Sequence, residues 1–149
     1  MGGIYDYGKV YISISKHKTT ENLELKKAFT IGFATKKTEE ISDYFGIVSG
    51  NKEDKIAKTK VHVTKSNFVD APIIEEYLLT LECTVDSFED GILIGNIVNC
   101  SVDEEYLDEK GNIDVDKMEI ITYDMISNTY RVLGEVVGKA FKDGLKLKD

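Results

Sequence analysis

The chain has 149 residues, 42% of them hydrophobic and 31% charged, with a formal net charge of -8. That length suits one domain with a core able to stand without disulfide or metal staples, and the apolar share excludes a disordered chain. The acidic balance excludes a general nucleic-acid coat, which needs a basic face, and disfavours an anionic membrane surface. No apolar run approaches the roughly 20 residues of a membrane helix. Basic charge comes almost wholly from lysine, since Arg131 is the only arginine. A phosphate site here therefore has to use lysine, hydroxyls and backbone N–H groups instead of bidentate guanidinium clamps. The first residues show no basic-then-apolar leader pattern, and Cys83 and Cys100 form no C-x-x-C motif. A cytoplasmic protein with reduced thiols is the expectation.

In chain order, Lys9 to Ser15 alternates as a strand, with Val10, Ile12 and Ile14 on one face and Tyr11, Ser13 and Ser15 on the other. A polar run follows, in which Thr19 or Thr20 can cap a short helix through Lys27. Phe29 to Ala34 alternates again as a second strand. Thr38 to Val48 is the clearest helix: Ile41, Tyr44, Phe45 and Val48 make one apolar stripe, and Ser49-Gly50 ends it through a left-handed glycine. A short helical piece is expected from Glu53 to Lys58, and Pro72 marks irregular structure within residues 60–77.

Leu78 to Phe88 and Ile92 to Val102 carry the strongest β signal, joined by Asp90-Gly91, a favoured type I′ turn. A two-residue loop sets Leu81 opposite Cys100 and Cys83 opposite Val98, so the thiols share a face diagonally and read as small core residues. Asp103 to Met118 is acidic and turn-rich. Glu119 to Asp124 and Thr129 to Leu133 read as strands, Gly134 to Phe141 as a short closing helix, and the lysine-rich tail as a fraying end. Short strands, one good helix and a long hairpin indicate a mainly β domain over residues 1–149, a small antiparallel barrel with short helices at its ends.

Most catalytic patterns are missing. The Asp108 to Asp114 stretch fails as a calcium loop because Tyr106 and Lys110 fall at ligand positions once Gly111 is set at the turn. His17 and His62 have no zinc-type spacing, and there is no nucleophile elbow, P-loop or G-x-G-x-x-G run. Two polar clusters remain. Ser13, Ser15, Lys16, His17, Lys18, Thr19 and Thr20 lie where a strand hands over to a helix start, whose free N–H groups and positive dipole suit a phosphate monoester; the plain alternative is a capped helix with solvated lysines. Ser49, Gly50, Asn51, Lys52 and Lys55 follow the amphipathic helix, where Gly50 lets backbone approach a flat ligand; the plain alternative is a polar turn.

Taken in order, Val10 to Ser15, His17 to Leu23, Phe29 to Ile31, Tyr44-Phe45-Gly46 with Ser49-Gly50 and Asp54-Lys55, Leu81 to Cys83, Ile94 to Val98, Val102 to Leu107 and Tyr130 to Glu135 resemble the flavin reductase-like family. The resemblance spans nearly the whole chain and implies an FMN-binding split β-barrel, usually a homodimer with flavin in a groove near the subunit interface. It implies that Ser13 and Ser15 border the flavin, that His17, Lys18 and Thr19 lie near its phosphate, and that Ser49, Gly50 and Lys55 approach its ring or ribityl chain. Many relatives carry arginine where His17 stands. Relatives also begin earlier, with a strand pair carrying phosphate ligands and often Trp-Gly-Gly; here Met1 stands before Gly2-Gly3, so the usual first strand segment is expected to be lacking. The implied function is a flavin-dependent oxidoreductase or electron carrier taking hydride from NAD(P)H through flavin N5, with no catalytic acid or base and no metal. The alternative is a non-enzymatic dimeric barrel holding another ligand, such as haem on His17 or His62, or a flavin-deficient fragment.

Overall fold

The Asp90-Gly91 dipeptide makes the turn its chemistry favours. In the computed structural model, which describes residues 2–148, both residues have positive φ, 50° and 79°, as a type I′ turn requires. The hairpin it closes joins β6 (Leu79–Glu89) to β7 (Ile92–Val102), eleven residues each. The register begins and ends as a two-residue loop dictates, with Glu89 opposite Ile92 and Leu81 opposite Cys100. Between them it shifts twice. Asp86 is an extra residue on β6 and Val98 an extra residue on β7, so Cys83 faces Ile97 instead of Val98. The two bulges cancel in register but each bends its strand, and the side chain of Asp86 pairs with Lys9 Nζ at 2.8 Å.

Every other strand of the main sheet builds on this hairpin. β2 (Lys9–Ser13) pairs antiparallel with β7, β3 (Ala28–Gly32) with β6, and β1 (Gly2–Asp6) with β2, giving the order β1-β2-β7-β6-β3. A strand at residues 2–6 is not among the sequence expectations. Two ribbons complete the architecture: β4 (Val63–Lys65) with β5 (Pro72–Ile74), and β8 (Ile121–Asp124) with β9 (Thr129–Val132). The first turns residues 60–77, expected to be irregular, into a short hairpin with Pro72 at the start of a strand, where its missing N–H is tolerated. The Thr30 hydroxyl on β3 donates to Pro72 O at 2.6 Å. The second ribbon is tied on through Ile121 N to Ala34 O at 3.1 Å.

The helices are short: α1 (Lys18–Lys26), α2 (Glu39–Ile47), α3 (Lys55–Thr59) and α4 (Val115–Met118). The core lies under the main sheet, where Val10, Leu23, Phe29, Leu81, Cys83 and Leu93 are buried together. A second cluster joins Leu79, Tyr106 and Met118. Val10, Ile12 and Ile14 do face inward while Tyr11, Ser13 and Ser15 are exposed. Two expectations need correction. Cys83 is a core residue but Cys100 is exposed; it pairs with Leu81 two residue levels from Cys83, toward the far end of the hairpin. Gly134 to Phe141 forms no helix; two glycines in eight residues weaken one, and a short 3-10 turn at Asp143–Leu147 follows instead. The stripe of α2 is half-buried, and no α2 residue is fully buried.

Two glycines separate packing from propensity. A Cβ on Gly95 would lie 2.4 Å from Phe29 Cζ, whereas one on Gly46, inside α2, would meet nothing within 4 Å. Gly95→Ala should lower stability in urea denaturation by about 1–3 kcal/mol through overpacking, and Gly46→Ala should raise it by about 0.5–1 kcal/mol. Loss in neither case would show that Phe29 has room to move. In the β8–β9 ribbon, hydrogen bonds from Ser127, Arg131 and two backbone N–H groups hold the Asp124 carboxyl down at about 2, against an ordinary 3.8. Its ionised form therefore stabilises the ribbon fully above the ordinary value, and that stabilisation is lost as pH falls toward about 2. A carboxyl-carbon NMR titration should place the Asp124 midpoint near 2, and Asp124→Asn should remove this part of the acid dependence.

Candidate functional site

The strand-to-helix handover leaves donors unused. β2 ends at Ser13, and His17 stands at the N-cap of α1 with extended backbone. Thr20, one turn in, closes the corner: its hydroxyl accepts from His17 N at 3.3 Å and donates to His17 O at 2.7 Å. Thr20 is thus the residue that shapes the cap, from inside the helix. The N–H groups of Lys18 and Thr19, with no carbonyl four residues back to receive them, point out of the helix start.

The opposite wall comes from the chain after α2. Lys18 Nζ reaches across to Gly50 O at 3.3 Å. A Cβ on Gly50 would sit 3.4 Å from Lys18 Cδ and 3.6 Å from Lys55 Cε, so the glycine lets backbone lie between two lysines. It does not supply a left-handed helix end: α2 closes at Val48 in extended conformation, and Gly50 is not among the positive-φ residues. Lys55 Nζ donates to Phe45 O at 2.7 Å and lies 5.5 Å from the centre of the Phe45 ring. A cation on a last-turn carbonyl of α2 is favourable both as a hydrogen bond and against the helix dipole. Asp54 caps α3 by accepting from Ala57 N at 3.1 Å.

These elements enclose a hollow of about 740 Å³ that includes Lys18, Thr19, Phe45, Gly50, Lys55 and Ile74. An adjoining recess of about 370 Å³ adds His17, Asn22 and Ser49. Both fall in the size range of cofactor pockets. Lys18, Lys52 and Lys55 face the hollow against Glu53 and Asp54. The Asp54 carboxylate is engaged at the α3 cap, so the balance favours an anion. Tyr44 Oη is shut off from solvent beside Glu53; burial first, and then the Glu53 carboxylate, push its pKa up.

Of the sequence candidates, His17, Lys18, Thr19, Ser49, Gly50 and Lys55 are brought together here. Ser13 and Ser15 are not; they line a separate hollow with Thr20, Glu24, Phe88 and Asp90. Sequence reasoning missed Phe45 and Ile74 as wall residues. Phe45 belongs to the apolar stripe of α2, and the i, i+4 geometry alone does not say whether an apolar face meets core or ligand. His62 lies elsewhere, its Nδ1 2.9 Å from Glu76 Oε1. The Asp108 carboxylate accepts from Lys110 N and Asn112 N, both at 2.8 Å, which makes that loop a turn closed on itself.

An antiparallel sheet with flanking ribbons and a helix start facing a lysine-walled hollow defines a mainly β split-barrel domain. Its sequence matches the flavin reductase like domain over residues 9–121, and the chain belongs to that family. Among solved structures it is similar to the flavoredoxin of Desulfovibrio vulgaris (Miyazaki F), at 30% identity over 96% of this chain and 80% of that one, TM-score 0.91. It is also similar to flavoredoxin from Methanosarcina acetivorans, at 28% identity over 98% and 81%, TM-score 0.87. Nitrilotriacetate monooxygenase component B from Bacillus cereus, at 18% identity over 93% and 76%, TM-score 0.78, shares the fold. No curated protein sequence matches the chain.

Proposed function

We propose that the chain binds FMN in the hollow between α1 and the Gly50 turn and works as a flavin reductase-like redox protein with NAD(P)H as hydride donor. The observation that carries the reading is the convergence of His17, Lys18, Thr19, Ser49, Gly50 and Lys55 on two adjoining hollows that favour anions. The residues present fit the group. Lys18 Nζ and the open N–H groups of Lys18 and Thr19 suit a phosphate monoester at a helix start, and the Gly50 backbone with the Phe45 ring offers a thin wall to a flat ring. Bound FMN would supply hydride and single-electron chemistry at its ring. The chain's part is to hold the anionic tail, to keep the ring face open for a nicotinamide, and to limit water through Phe45, Ile56 and Ile74. No protein acid or base is required. Ser13 and Ser15 would border the flavin only if the ring extends past Thr20 toward their hollow.

A homodimer in a cytoplasmic setting belongs to the same reading. Two free thiols fit a reducing compartment. Among the described residues no helix is long and apolar enough to cross a membrane. The segment after β9 leaves Val137 94% and Phe141 100% exposed, with Val136 and Leu147 close behind, and an apolar surface of that kind marks an interface.

Titrating the purified chain with FMN and reading absorbance between 350 and 500 nm should give saturable binding. Lys18→Met should weaken it about ten-fold, the size of one hydrogen bond to a charged group, with the melting temperature unchanged. A folded protein that takes up no flavin, or that shows a Soret band with haem instead, sinks the reading. Light scattering should report a dimer, and deletion of residues 134–149 should return a monomer; a monomeric full-length chain rejects that part.

A further inference from the structure

A second cavity lies on the other side of Thr19. It is an open hollow of about 650 Å³ bordered by α1, β3 and the β4–β5 hairpin. Leu23, Phe29 and Ala71, all buried, form its floor with Ala28 and Pro72. Its rim carries Lys26, Lys65 and Asp70. Lys26 Nζ bonds Asp70 Oδ2 at 2.7 Å at the rim, while among the described residues the Lys65 ammonium forms no ion pair. Lys26 first, and Lys65 more weakly, hold the Asp70 carboxyl below its ordinary value, so both cations act on the mouth.

The walls are built, not loosely draped. Glu82, 1% exposed, accepts from the Ser66 hydroxyl and from Asn99 Nδ2 at 2.6 Å. Ser66 Oγ in turn accepts from Phe68 N and Val69 N, both at 2.9 Å. This buried carboxylate therefore anchors the loop of the β4–β5 hairpin to β6 and β7. The Thr30 hydroxyl secures Pro72 on the near side. Nothing in the flavin reading uses this network or the cavity behind it.

We infer that this cavity is a second ligand site, which takes a small aromatic carboxylate with its ring on Leu23, Phe29 and Ala71 and its charge on Lys65. An apolar floor selects hydrocarbon by burial. A rim with two lysines and one aspartate selects an anion over a cation. The site stands on this cavity alone and needs no flavin in the neighbouring hollow.

The test is a methyl NMR titration of the full chain with benzoate, and with benzamide and benzylamine as neutral and cationic probes of the same ring. Benzoate should shift Leu23, Val63 and Ala71 methyls saturably and bind tighter than either partner probe. Lys65→Gln should weaken benzoate about 2–5-fold, the size of one exposed charge pair. Asp70→Asn should tighten it by a similar factor, since it removes a like charge and frees Lys26. Ala71→Phe should abolish it. Equal affinity for benzoate and benzamide, indifference to both rim variants, or shifts confined to residues around Gly50 would overturn the inference. Running the series with and without added FMN separates the two sites: loss of flavin uptake with benzoate binding intact rejects only the flavin reading, and the reverse rejects only this one.

Discussion

The β6–β7 hairpin is the constraint on which the rest of the molecule depends. β7 carries β2 on its outer side and β6 carries β3, so the two strands that bracket α1 are positioned by opposite arms of one hairpin. Its turn is set by two residues that accept positive φ, and its register is restored after two opposing bulges. A single uncompensated bulge would reverse the faces of every residue beyond it. Phe29 fits over Gly95 only in the observed pairing, where a side chain at that position would collide with the ring. The start of α1, and with it the anion-favouring end of the hollow, inherits its place from that packing.

The hollow shows how a chain with one arginine prepares for an anion. Arg131 is engaged with Asp124 in the β8–β9 ribbon, 2.8 Å away, and takes no part. Lysines face the hollow instead, and two of the three are tethered by backbone carbonyls: Lys18 by Gly50 and Lys55 by Phe45. A tether of this kind limits the rotamer entropy a lysine loses on meeting a ligand. It leaves further donor capacity on each ammonium, which has three N–H bonds. A guanidinium would give geometric selectivity; two tethered ammonium groups give charge with looser geometry.

Much of this was legible in the residues. The Asp90-Gly91 turn, the alternation through β2 and the stripe of α2 each follow from a short-range rule. The grouping of six candidates on the Gly50 hollow and its adjoining recess matches what the family resemblance implied and not what their spacing alone gave. What stayed hidden depended on contacts distant in sequence. Nothing in Ser13 or Ser15 tells which side of α1 their face of the strand will open onto. The Asp86 and Val98 bulges have no residue signature, since neither is a glycine. Residues 60–77 hide two three-residue strands that exist because Ser66 is held by Glu82, sixteen positions away. The helix expected at Gly134 to Phe141 failed because local apolar content was read without the cost of its two glycines.

The presence of hollows on several sides of α1 has a common cause in that helix's own composition. Lys18–Lys26 reads KTTENLELK, and Leu23 is its only buried apolar residue, while Leu25 is 80% exposed. A helix with one apolar anchor cannot seal its neighbours as an amphipathic helix does. It stands as a pillar, pinned at Leu23 and at the Thr20 cap, with polar flanks that face open space. The Gly50 hollow lies on one flank, the Phe29 cavity on another and the Ser13 recess on a third. A more apolar α1 would make a more stable domain and close these spaces. The polar sequence of α1 is therefore the feature by which this fold forgoes core packing and leaves open space on several sides of one helix.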